Sequence, residues 1–334
     1  MILPCVRQGG GRTLSVVERD DVYIAEHVSL RRKLRLHPRR RARQFLDLAT
    51  HVPGLLALAA RIRRAGFGYA ARSEPALLFK YLGQYLANSF DTAARLRIMS
   101  HHYETLAVRF PDLGRFGFPR NGMLLWSHRA GLDTFTIRLC MPAGNYLEGD
   151  LSLVFSVNGS PLHKLSFTCI PGKEAGLEAE TALLIGGSQG FPGTLALIRQ
   201  ASKTNGEICP AVMLVLAAQA LAKRLGAEAI LGVSADEQTS LRDHPEQAKS
   251  RYDALWEMSG GERRGSFYRL PDGVVWKDIS HLSNGHRPRA RRKRQLKERI
   301  LAHIRENADR FLFAVVSISA ENLLLSLQTV AFGV

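Results

Sequence analysis

The chain has 334 residues, of which 46 are Lys or Arg and 30 are Asp or Glu, so its formal net charge is +16. Its 46% hydrophobic content is ordinary for a globular protein. This composition excludes a disordered tail protein, a collagen, a disulfide-stapled miniprotein and a polytopic membrane protein. The length fits two modules, or one large domain with extensions.

Nearly all of the excess charge lies in two short segments. Residues 31–43 hold eight basic residues and no acid, and residues 287–299 hold eight basic residues and one acid, so together they carry +15 of the +16. Such bands attract polyanions. The alternatives are a solvated face without a partner and a basic stripe that packs on acidic helices. We expect an anionic envelope lipid or another polyanion as partner, with nucleic acid left open. The predicted anion-binding residues are Arg39, Arg40, Arg41, Arg291, Arg292, Lys293 and Arg294.

The cysteines and the two ends of the chain bear on its location. No two cysteines have metal-ligand spacing, which is typical of a reducing compartment. The N-terminus lacks the apolar core of a signal peptide, so we expect a cytoplasmic protein. Residues 311–334 carry a single charge, Glu321, near the middle, where a carboxylate costs about 2.5–3.5 kcal/mol in a membrane. We therefore predict that this tail docks on the protein or lies on the inner membrane surface, without spanning it.

Taken in chain order, the first third of the sequence predicts helices. Apolar residues recur at helical spacing over 45–62, with Pro53 as a break or kink. A second helix is expected over 75–86, and Asp91 is placed to cap a third that runs to about residue 110. The Gly/Pro-rich stretch 114–122 is the best candidate for a domain boundary.

After that boundary the hydrophobic period becomes that of strands. Asn158-Gly159 predicts a tight hairpin turn between two of them. The predicted strands are 123–126, 134–139, 151–157, 162–170, 181–185, 229–234, 266–270 and 274–279, with a Gly-rich turn at 186–190 and helices at about 194–202, 210–225 and 250–258.

The fold class predicted from these elements is α+β. A helical N-terminal module is followed by a mixed, mostly antiparallel sheet with flanking helices, of an acyltransferase-like type. The predicted regions are a basic extension (1–37), a helical module (38–113), an α/β domain (120–285), a basic helix (286–310) and an apolar tail (311–334).

One motif suggests a nucleophile. Residues 186–190 read Gly-Gly-Ser-Gln-Gly after a predicted strand, which is the sequence form of a hydrolase nucleophile elbow around Ser188. The preceding strands predict a hairpin, whereas an elbow needs a parallel βαβ setting, so a Gly-rich turn is the alternative. The candidate partners in the chain order of a triad are Asp236 or Asp253, followed by His281 or His286.

No metal site is predicted. His101 and His102 are adjacent in a predicted helix, so their rings point about 100° apart and are poorly placed to chelate one ion. We expect one of the two rings to be packed and the other solvated. The sequence also lacks a phosphate-binding loop, a dinucleotide fingerprint and a recognisable nucleic-acid module.

Several ordered motifs carry a resemblance to a known family. They are Glu148-Gly149-Asp150-Leu151-Ser152-Leu153, Leu165-Ser166-Phe167, Ile185-Gly186-Gly187 with Gln189-Gly190, Tyr252-Asp253 with Trp256, Gly260-Gly261, and His102-Tyr103 with Leu106 and Phe110. On these, residues 38–300 resemble the VirK/YbjX family of bacterial proteins. The resemblance implies a cytoplasmic protein linked to virulence, envelope remodelling, stress response and resistance to antimicrobial peptides, with no settled enzymatic activity.

The chain departs from that family in two places. Where the family usually has Gly-Gly-Leu-Gln-Gly, this chain has Ser188 in place of the leucine. Ser188 is therefore not a nucleophile common to the family. A stretch expected as Lys, His-Gly and Arg-Pro-Lys reads Lys203, Gly206-Glu207 and Cys209-Pro210-Ala211. If the basic residues hold an anion in the family, part of that site is lost here.

The order of elements is also similar to the GNAT-type N-acetyltransferase fold. That likeness implies coenzyme A or an acyl-CoA as cofactor, with its pyrophosphate at a helix N-terminus near Gly206 and Tyr252 protonating the leaving thiolate. The cofactor-binding candidates are Gly187, Gln189, Gly190, Lys203 and Gly206. The Q/R-x-x-G-x-G/A loop of that fold is missing, and Glu207 places a negative charge where phosphate would lie.

The sequence thus leads to one functional expectation and two alternatives. The expectation is a VirK/YbjX-like cytoplasmic protein tied to envelope remodelling that acts as an acyl-CoA-dependent transferase. The first alternative is a non-catalytic regulator or adaptor that binds anionic lipid or nucleic acid through its basic bands. The second is a serine hydrolase that uses Ser188.

Overall fold

A computed structural model shows two compact units, residues 1–50 and 51–334. The backbone is described for residues 38–73, 75–111, 113, 122–141, 146–239, 252–274, 276, 280 and 285–331, and side chains only within 51–309. Of the first unit only residues 38–50 are described, and they are helical. The predicted extension 1–37 lies outside the described residues, as does nearly all of the predicted boundary at 114–122.

The region before the sheet is helical, as predicted. Its helices are α1 (Pro38–Arg64), α2 (Gly68–Ser73), α3 (Ala76–Phe79), which a 3₁₀ turn extends (Lys80–Leu82), and α4 (Thr92–Arg109). Helix α1 runs through Pro53 without ending there. Asp91 caps α4 as expected, because its carboxylate accepts a hydrogen bond from Ala94 N at 2.7 Å.

The second predicted helix, over 75–86, is wrong beyond residue 82. Gly83 leaves the 3₁₀ turn in an extended conformation, and Leu86 has a φ of +62°. The Leu86 amide donates to Leu147 O at 2.8 Å, and Ala87 forms a single bridge with Gln238. The helical apolar spacing of this segment therefore gives way to long-range backbone pairing, which local sequence does not encode.

An eight-stranded sheet follows, consisting of β1 (Met123–Ala130), β2 (Asp133–Cys140), β3 (Leu151–Val157), β4 (Ser160–Pro171), β5 (Thr181–Gly190), β6 (Ala229–Val233), β7 (Glu262–Arg264) and β8 (Phe267–Leu270). The strand order is β1-β2-β3-β4-β5-β6-β8-β7. Every pair is antiparallel except β5–β6, which confirms the predicted α+β class with a mixed, mostly antiparallel sheet. The β3–β4 hairpin turns at Asn158 and Gly159 with φ values of +51° and +80°, as that dipeptide predicts.

The predicted turn at residues 186–190 is wrong, because these residues form the second half of β5. Their glycines serve close packing: a Cβ on Gly186 would lie 2.2 Å from Glu148 O, and one on Gly187 would lie 2.1 Å from Glu148 Oε2. Gly186 is also the extra residue of a β-bulge, since Ser166 pairs with Gly187 while the next residue of β4 pairs with Ile185.

Four helices flank and follow the later strands: α5 (Leu195–Thr204), α6 (Pro210–Ala222), α7 (Ala254–Met258) and α8 (Arg287–Ala331). Helices α5 and α6 form the crossover between the parallel strands β5 and β6. Helix α8 docks through Ile300, Leu301, Ile304 and Ala308, which are buried. The predicted basic helix and the apolar tail up to Ala331 are parts of this single helix, although no side chain beyond residue 309 is described.

The core lies on both faces of the central strands. Residues 165–170 of β4 and 181–187 of β5 are buried at every position, and both α4 and α6 pack against β4. Strands buried on both faces need a layer on each side, which indicates that these two helices cover opposite faces. The helix predicted at 250–258 is described from residue 252 and is helical over Ala254–Met258, whereas most of the strand predicted at 274–279 lies outside the described residues.

Candidate functional site

The most polar part of the interior is an ion pair between the region before the sheet and the start of β3. Lys80 lies in the 3₁₀ turn and Asp150 directly precedes β3, and their side chains are 2% and 0% exposed. The Lys80 ammonium donates to the Asp150 carboxylate, and it lies 3.5 Å from Gly149 O and 4.6 Å from the centroid of the Tyr85 ring. A buried charge needs an ion-pair partner and hydrogen bonds, because an unpaired charge in the interior is strongly destabilising or becomes neutral through a pKa shift.

The Asp150 carboxylate is saturated with donors. Its Oδ2 accepts from the Tyr85 hydroxyl and from Thr168 Oγ1 at 2.9 Å, while Asp150 N donates to Thr168 Oγ1 at 3.0 Å. Burial alone would raise the pKa of Asp150, but the Lys80 charge and these hydrogen bonds outweigh it and lower that pKa. The carboxylate therefore stays ionised and is fully occupied by the protein.

Two aromatic residues of helix α4 close the same interior region. His102 Nδ1 accepts from Cys169 N at 3.1 Å, and burial lowers the pKa of His102 to about 4, so the ring is neutral at pH 7. Burial raises the pKa of Tyr103 well above its ordinary value, and the Asp150 carboxylate adds to this shift. His101 is half-buried with its ring nitrogen 3.0 Å from Thr181 Oγ1, so only one of the two histidine rings is fully packed, as the helical spacing predicts.

This cluster offers no reactive group to solvent. Lys80, Tyr85, His102, Asp150 and Thr168 are all at most 5% exposed. A catalytic acid or base must come within hydrogen-bond reach of its substrate. The chemistry of the cluster is therefore structural: it ties the segment around residues 80–85 to the sheet.

The sheet opens beyond the parallel pair. Strands β5 and β6 pair only from Ala182 with Ala229 to Ile185 with Gly232, whereas β5 continues to Gly190. The chain itself fills this opening, because Gln238 Nε2 donates to Gly186 O at 2.8 Å and Gln238 is 1% exposed. The carbonyl that would be free to bind a ligand between the diverging strands is thus already hydrogen-bonded.

Ser188 lies on β5 next to a histidine that the sequence did not single out. His163 Nε2 is 2.9 Å from Ser188 Oγ, and burial lowers the pKa of His163 to about 4. The other ring nitrogen of His163 is buried and has no hydrogen-bond partner among the described residues. A triad needs a third group to orient the base, and a strand lacks the exposed strand-to-helix turn of an elbow. The pair is a half-buried serine–histidine contact without these two features.

Gly187, Gln189 and Gly190 line the same end of β5. Gly187 contacts Glu148, and Gln189 Nε2 donates to the Glu148 carboxylate. A Cβ on Gly190 would lie 3.2 Å from Ile198 of α5. These three predicted cofactor-binding positions are therefore brought together, but around Glu148 and α5, and the carboxylate there is unsuited to a phosphate.

The other predicted cofactor positions are separate from that end of β5. Lys203 is exposed at the end of α5, and Gly206, with a φ of +63°, packs so closely that a Cβ would lie 2.6 Å from Leu296 of α8. Glu207 follows it and forms a two-pronged ion pair with Arg289 of α8. This hydrogen bond lowers the pKa of Glu207. The N-terminus of α6, where a pyrophosphate was predicted, is thus next to a carboxylate.

Tyr252 precedes α7 and is 1% exposed, with its ring 6.4 Å from that of Trp256. A hydroxyl in that position has no open path to a substrate in solvent. Gly187, Gln189, Gly190 and Gly206 contact the protein's own side chains and Lys203 is exposed, so coenzyme A binding at these positions stays a prediction. In the part of the chain that the structure describes, no group of three or more His, Cys, Asp or Glu residues could hold a metal ion.

The basic helix divides its predicted anion-binding residues between two faces. Arg291 and Arg292 are exposed, whereas Lys293 and Arg294 are half-buried. The Arg294 guanidinium lies 5.5 Å from the centroid of the Trp276 ring, in a cation–π contact. Arg299, two turns after Arg292, is also exposed. We name the set Arg291, Arg292 and Arg299 the arginine face. Arg39, Arg40 and Arg41 lie in the first turns of α1, and their side chains are outside the described ones.

The comparisons with known proteins show the family of the chain but name no activity. A family model matches residues 38–306, which is more than half of the chain. The chain belongs to that family, which is described as "Protein of unknown function (DUF535)". No curated protein and no solved structure matches the chain. Among the helices that the structure describes, none has the length and apolar character needed to cross a membrane.

The sequence analysis did not predict that Lys80, Tyr85 and His163 form polar contacts in the interior. The one available signal was Glu148-Gly149-Asp150, two carboxylates at the start of an apolar strand. Charged residues at the edge of a buried run imply a partner, but the partners of Asp150 lie 65 and 70 residues earlier in the chain. No local pattern points to them.

Proposed function

We propose that this chain is a VirK/YbjX-like protein tied to the bacterial cell envelope, and that it associates with an anionic membrane surface through the arginine face of helix α8. The observation that carries this proposal is the way the helix docks. Its buried residues 300, 301, 304 and 308 lie on one side. Arg291, Arg292 and Arg299 lie on the other side, towards solvent. The charge is therefore displayed without any rearrangement.

The magnitude of the attraction supports reversible association. A Lys or Arg close to an anionic leaflet contributes about 1 kcal/mol, so the three arginines together contribute about 3 kcal/mol, or roughly 100-fold in affinity. Residues 311–334 continue the same sequence with one charge and many apolar residues. A basic cluster next to an apolar segment supports the proposal, because membrane-surface binding strengthens with buried apolar area and with attraction to anionic lipids.

The interior supports a binding role over a catalytic one. The Gly186 carbonyl is occupied by Gln238, and the Lys80–Asp150 pair is closed to solvent. The remaining candidates for chemistry, Ser188 and Tyr252, are half-buried and buried. The exposed arginines, by contrast, can contact a large partner directly.

The test is co-sedimentation of the full chain with vesicles of phosphatidylglycerol and phosphatidylcholine, against vesicles of phosphatidylcholine alone. Replacing the arginine face (Arg291→Gln, Arg292→Gln, Arg299→Gln) should weaken binding to anionic vesicles by about 100-fold. A matched control removes the same charge from exposed positions on other elements (Arg129→Gln, Arg199→Gln, Arg269→Gln) and should change binding far less.

Two results would contradict the proposal. One is equal loss in both triple variants, which would mean that net charge alone attracts the chain to the vesicles. The other is tight binding of duplex DNA with no binding of anionic vesicles, which would make nucleic acid the polyanion. Binding should also fall between low and physiological salt, because exposed charges are screened over about 8–10 Å.

A second candidate is an acyl-CoA-dependent transferase, favoured by one observation. The strand order, with a parallel pair that diverges next to a β-bulge, is similar to that of the GNAT-type fold. The test is the thermal midpoint with coenzyme A, acetyl-CoA and ATP at two salt concentrations. A shift with coenzyme A that survives high salt and is absent with ATP would support the transferase. Equal shifts that salt abolishes would support binding by the basic residues.

A further inference from the structure

A small cavity lies between helices α6 and α8, beside the end of α7. Its volume is about 50 Å³. Val212, Val215 and Leu216 of α6 form an apolar wall, and Gln219, Ser259 and Lys297 add polar groups. An apolar pocket with a few convergent polar groups is the usual form of a small-molecule site.

Gln219 carries the strongest sign of a missing partner. It is 3% exposed, and its Nε2 donates to Pro271 O at 2.9 Å and lies 3.3 Å from Gly273 O. These bonds fix the orientation of the amide. Its Oε1 is buried and has no hydrogen-bond partner in the described part of the chain. Because buried acceptors are rarely left unpaired, a donor is expected in the cavity.

Ser259 and Lys297 define the rest of the ligand. Ser259 Oγ is also buried without a hydrogen-bond partner among the described residues. Lys297 is half-buried, and burial together with Lys293 one turn earlier lowers the pKa of its ammonium. An anion beside Lys297 would offset both of these costs. The cavity therefore calls for one negative group, one hydroxyl donor and a short aliphatic part.

We propose that this cavity binds a short hydroxy acid. The carboxylate pairs with Lys297, the hydroxyl donates to Gln219 Oε1, and the aliphatic carbons pack against Val212, Val215 and Leu216. Ser259 Oγ is placed to hydrogen-bond the same ligand. This site is separate from the arginine face and does not depend on the proposed membrane association.

The first experiment compares three probes of matched size by isothermal titration calorimetry on the full chain. The probes are 3-hydroxybutyrate, butyrate, which lacks the hydroxyl, and 1,3-butanediol, which lacks the charge. The hydroxy acid should bind at least tenfold more tightly than either of the others. A site whose buried acceptor needs a donor rejects the analogue without one. Equal affinity for butyrate and 3-hydroxybutyrate would overturn the assignment of Gln219.

The second experiment uses variants that keep the fold. Lys297→Met retains the apolar stem and should weaken 3-hydroxybutyrate binding at least tenfold. Lys223→Met makes the same change at an exposed lysine directly after α6 and should leave binding unchanged. Ser259→Ala removes no hydrogen bond within the described chain and should weaken binding a few-fold. A thermal melt of each variant checks that it is folded.

The outcomes separate this inference from the proposed function. If no probe binds at millimolar concentration while anionic vesicles do, the cavity holds only water and the inference fails, while membrane association stands. A second outcome is that 3-hydroxybutyrate binds to the wild type and to the triple variant of the arginine face, while the wild type does not bind anionic vesicles. In that case the inference holds and the proposed membrane association fails. Equal loss in Lys297→Met and Lys223→Met would reduce the effect to general charge and overturn the site.

Discussion

Removing the ammonium of the buried ion pair should unfold this protein at a much lower denaturant concentration. In Lys80→Met the apolar stem remains, but the Asp150 carboxylate stays in a site where it is 0% exposed. The Tyr85 and Thr168 hydroxyls still donate to it. They carry no charge, so they cannot replace the Coulomb attraction that offsets the cost of burial.

The expected magnitude follows from that geometry. Removing one partner of a buried ion pair lowers the free energy of unfolding by about 3–5 kcal/mol. Because two hydroxyl donors to Asp150 remain, we expect Lys80→Met to fall towards the lower end of this range. For a domain of this size each kcal/mol moves the thermal midpoint by about 2–4 °C, so a fall of roughly 10 °C is expected. Asp150→Asn should cost a similar amount, because it leaves the Lys80 ammonium buried with only dipoles.

The assay is equilibrium unfolding in urea at pH 7 for the wild type, Lys80→Met, Asp150→Asn and the double variant. Because the two residues are in contact, their costs should not add, and the coupling free energy should exceed about 1 kcal/mol. Lys223→Met is the matched control at an exposed lysine and should stay within about 0.5 kcal/mol of the wild type. Single variants that each cost under about 1 kcal/mol, with additive effects, would refute the reasoning.

Further predictions concern pH and backbone packing. His102 and His163 have a pKa of about 4 in the folded protein, so between pH 6.5 and pH 4 the unfolded chain binds more protons. Stability should therefore fall over that range by roughly 3 kcal/mol per histidine, and a urea midpoint independent of pH from 7 to 4.5 would contradict this. In Gly149→Ala the new Cβ would lie 2.5 Å from Phe167 N, which is backbone of β4. The cost should be at least about 2 kcal/mol by urea unfolding. Gly285→Ala, whose new Cβ meets no described residue within 4 Å, should be near neutral.

Short sequence motifs correctly predicted the helix starts and the hairpin turn that one or two residues determine. Asp91 caps α4, Asn158-Gly159 turns the β3–β4 hairpin, and Pro210 opens α6. Each of these depends on the conformational preference of one or two residues. The prediction from local sequence was wrong at residues 186–190, where the glycines predicted a turn but the chain forms a strand. Glycine is needed at positions 186 and 187 because the backbone there packs closely against Glu148. A glycine selected for space and one selected for a positive φ are identical in sequence.

The buried cluster could not be predicted for a different reason. Lys80 and Tyr85 reach Asp150 across 70 and 65 residues of chain, and their segment reads as the apolar face of a helix. The spacing of Tyr81, Leu82, Tyr85 and Leu86 is helical, yet Leu86 adopts a φ of +62° because its amide pairs with Leu147 O. Tertiary pairing outweighs a local helical preference whose total is only about 1 kcal/mol over such a stretch.

The position of Gln238 determines whether the gap between the diverging strands β5 and β6 can bind a ligand. A parallel pair that diverges beside a bulge leaves backbone carbonyls unpaired, and a ligand can bind there only if those groups are accessible. Here the Gly186 carbonyl accepts from Gln238 Nε2 at 2.8 Å, and the backbone of Gln238 forms a bridge with Ala87. Opening that space would leave a buried amide and a carbonyl unpaired, at about 1–3 kcal/mol for each group, before any ligand made a contact. The strand order alone is therefore weak grounds for assigning a reaction. The exposed arginines of α8 need no such opening, and we expect the partner to bind there.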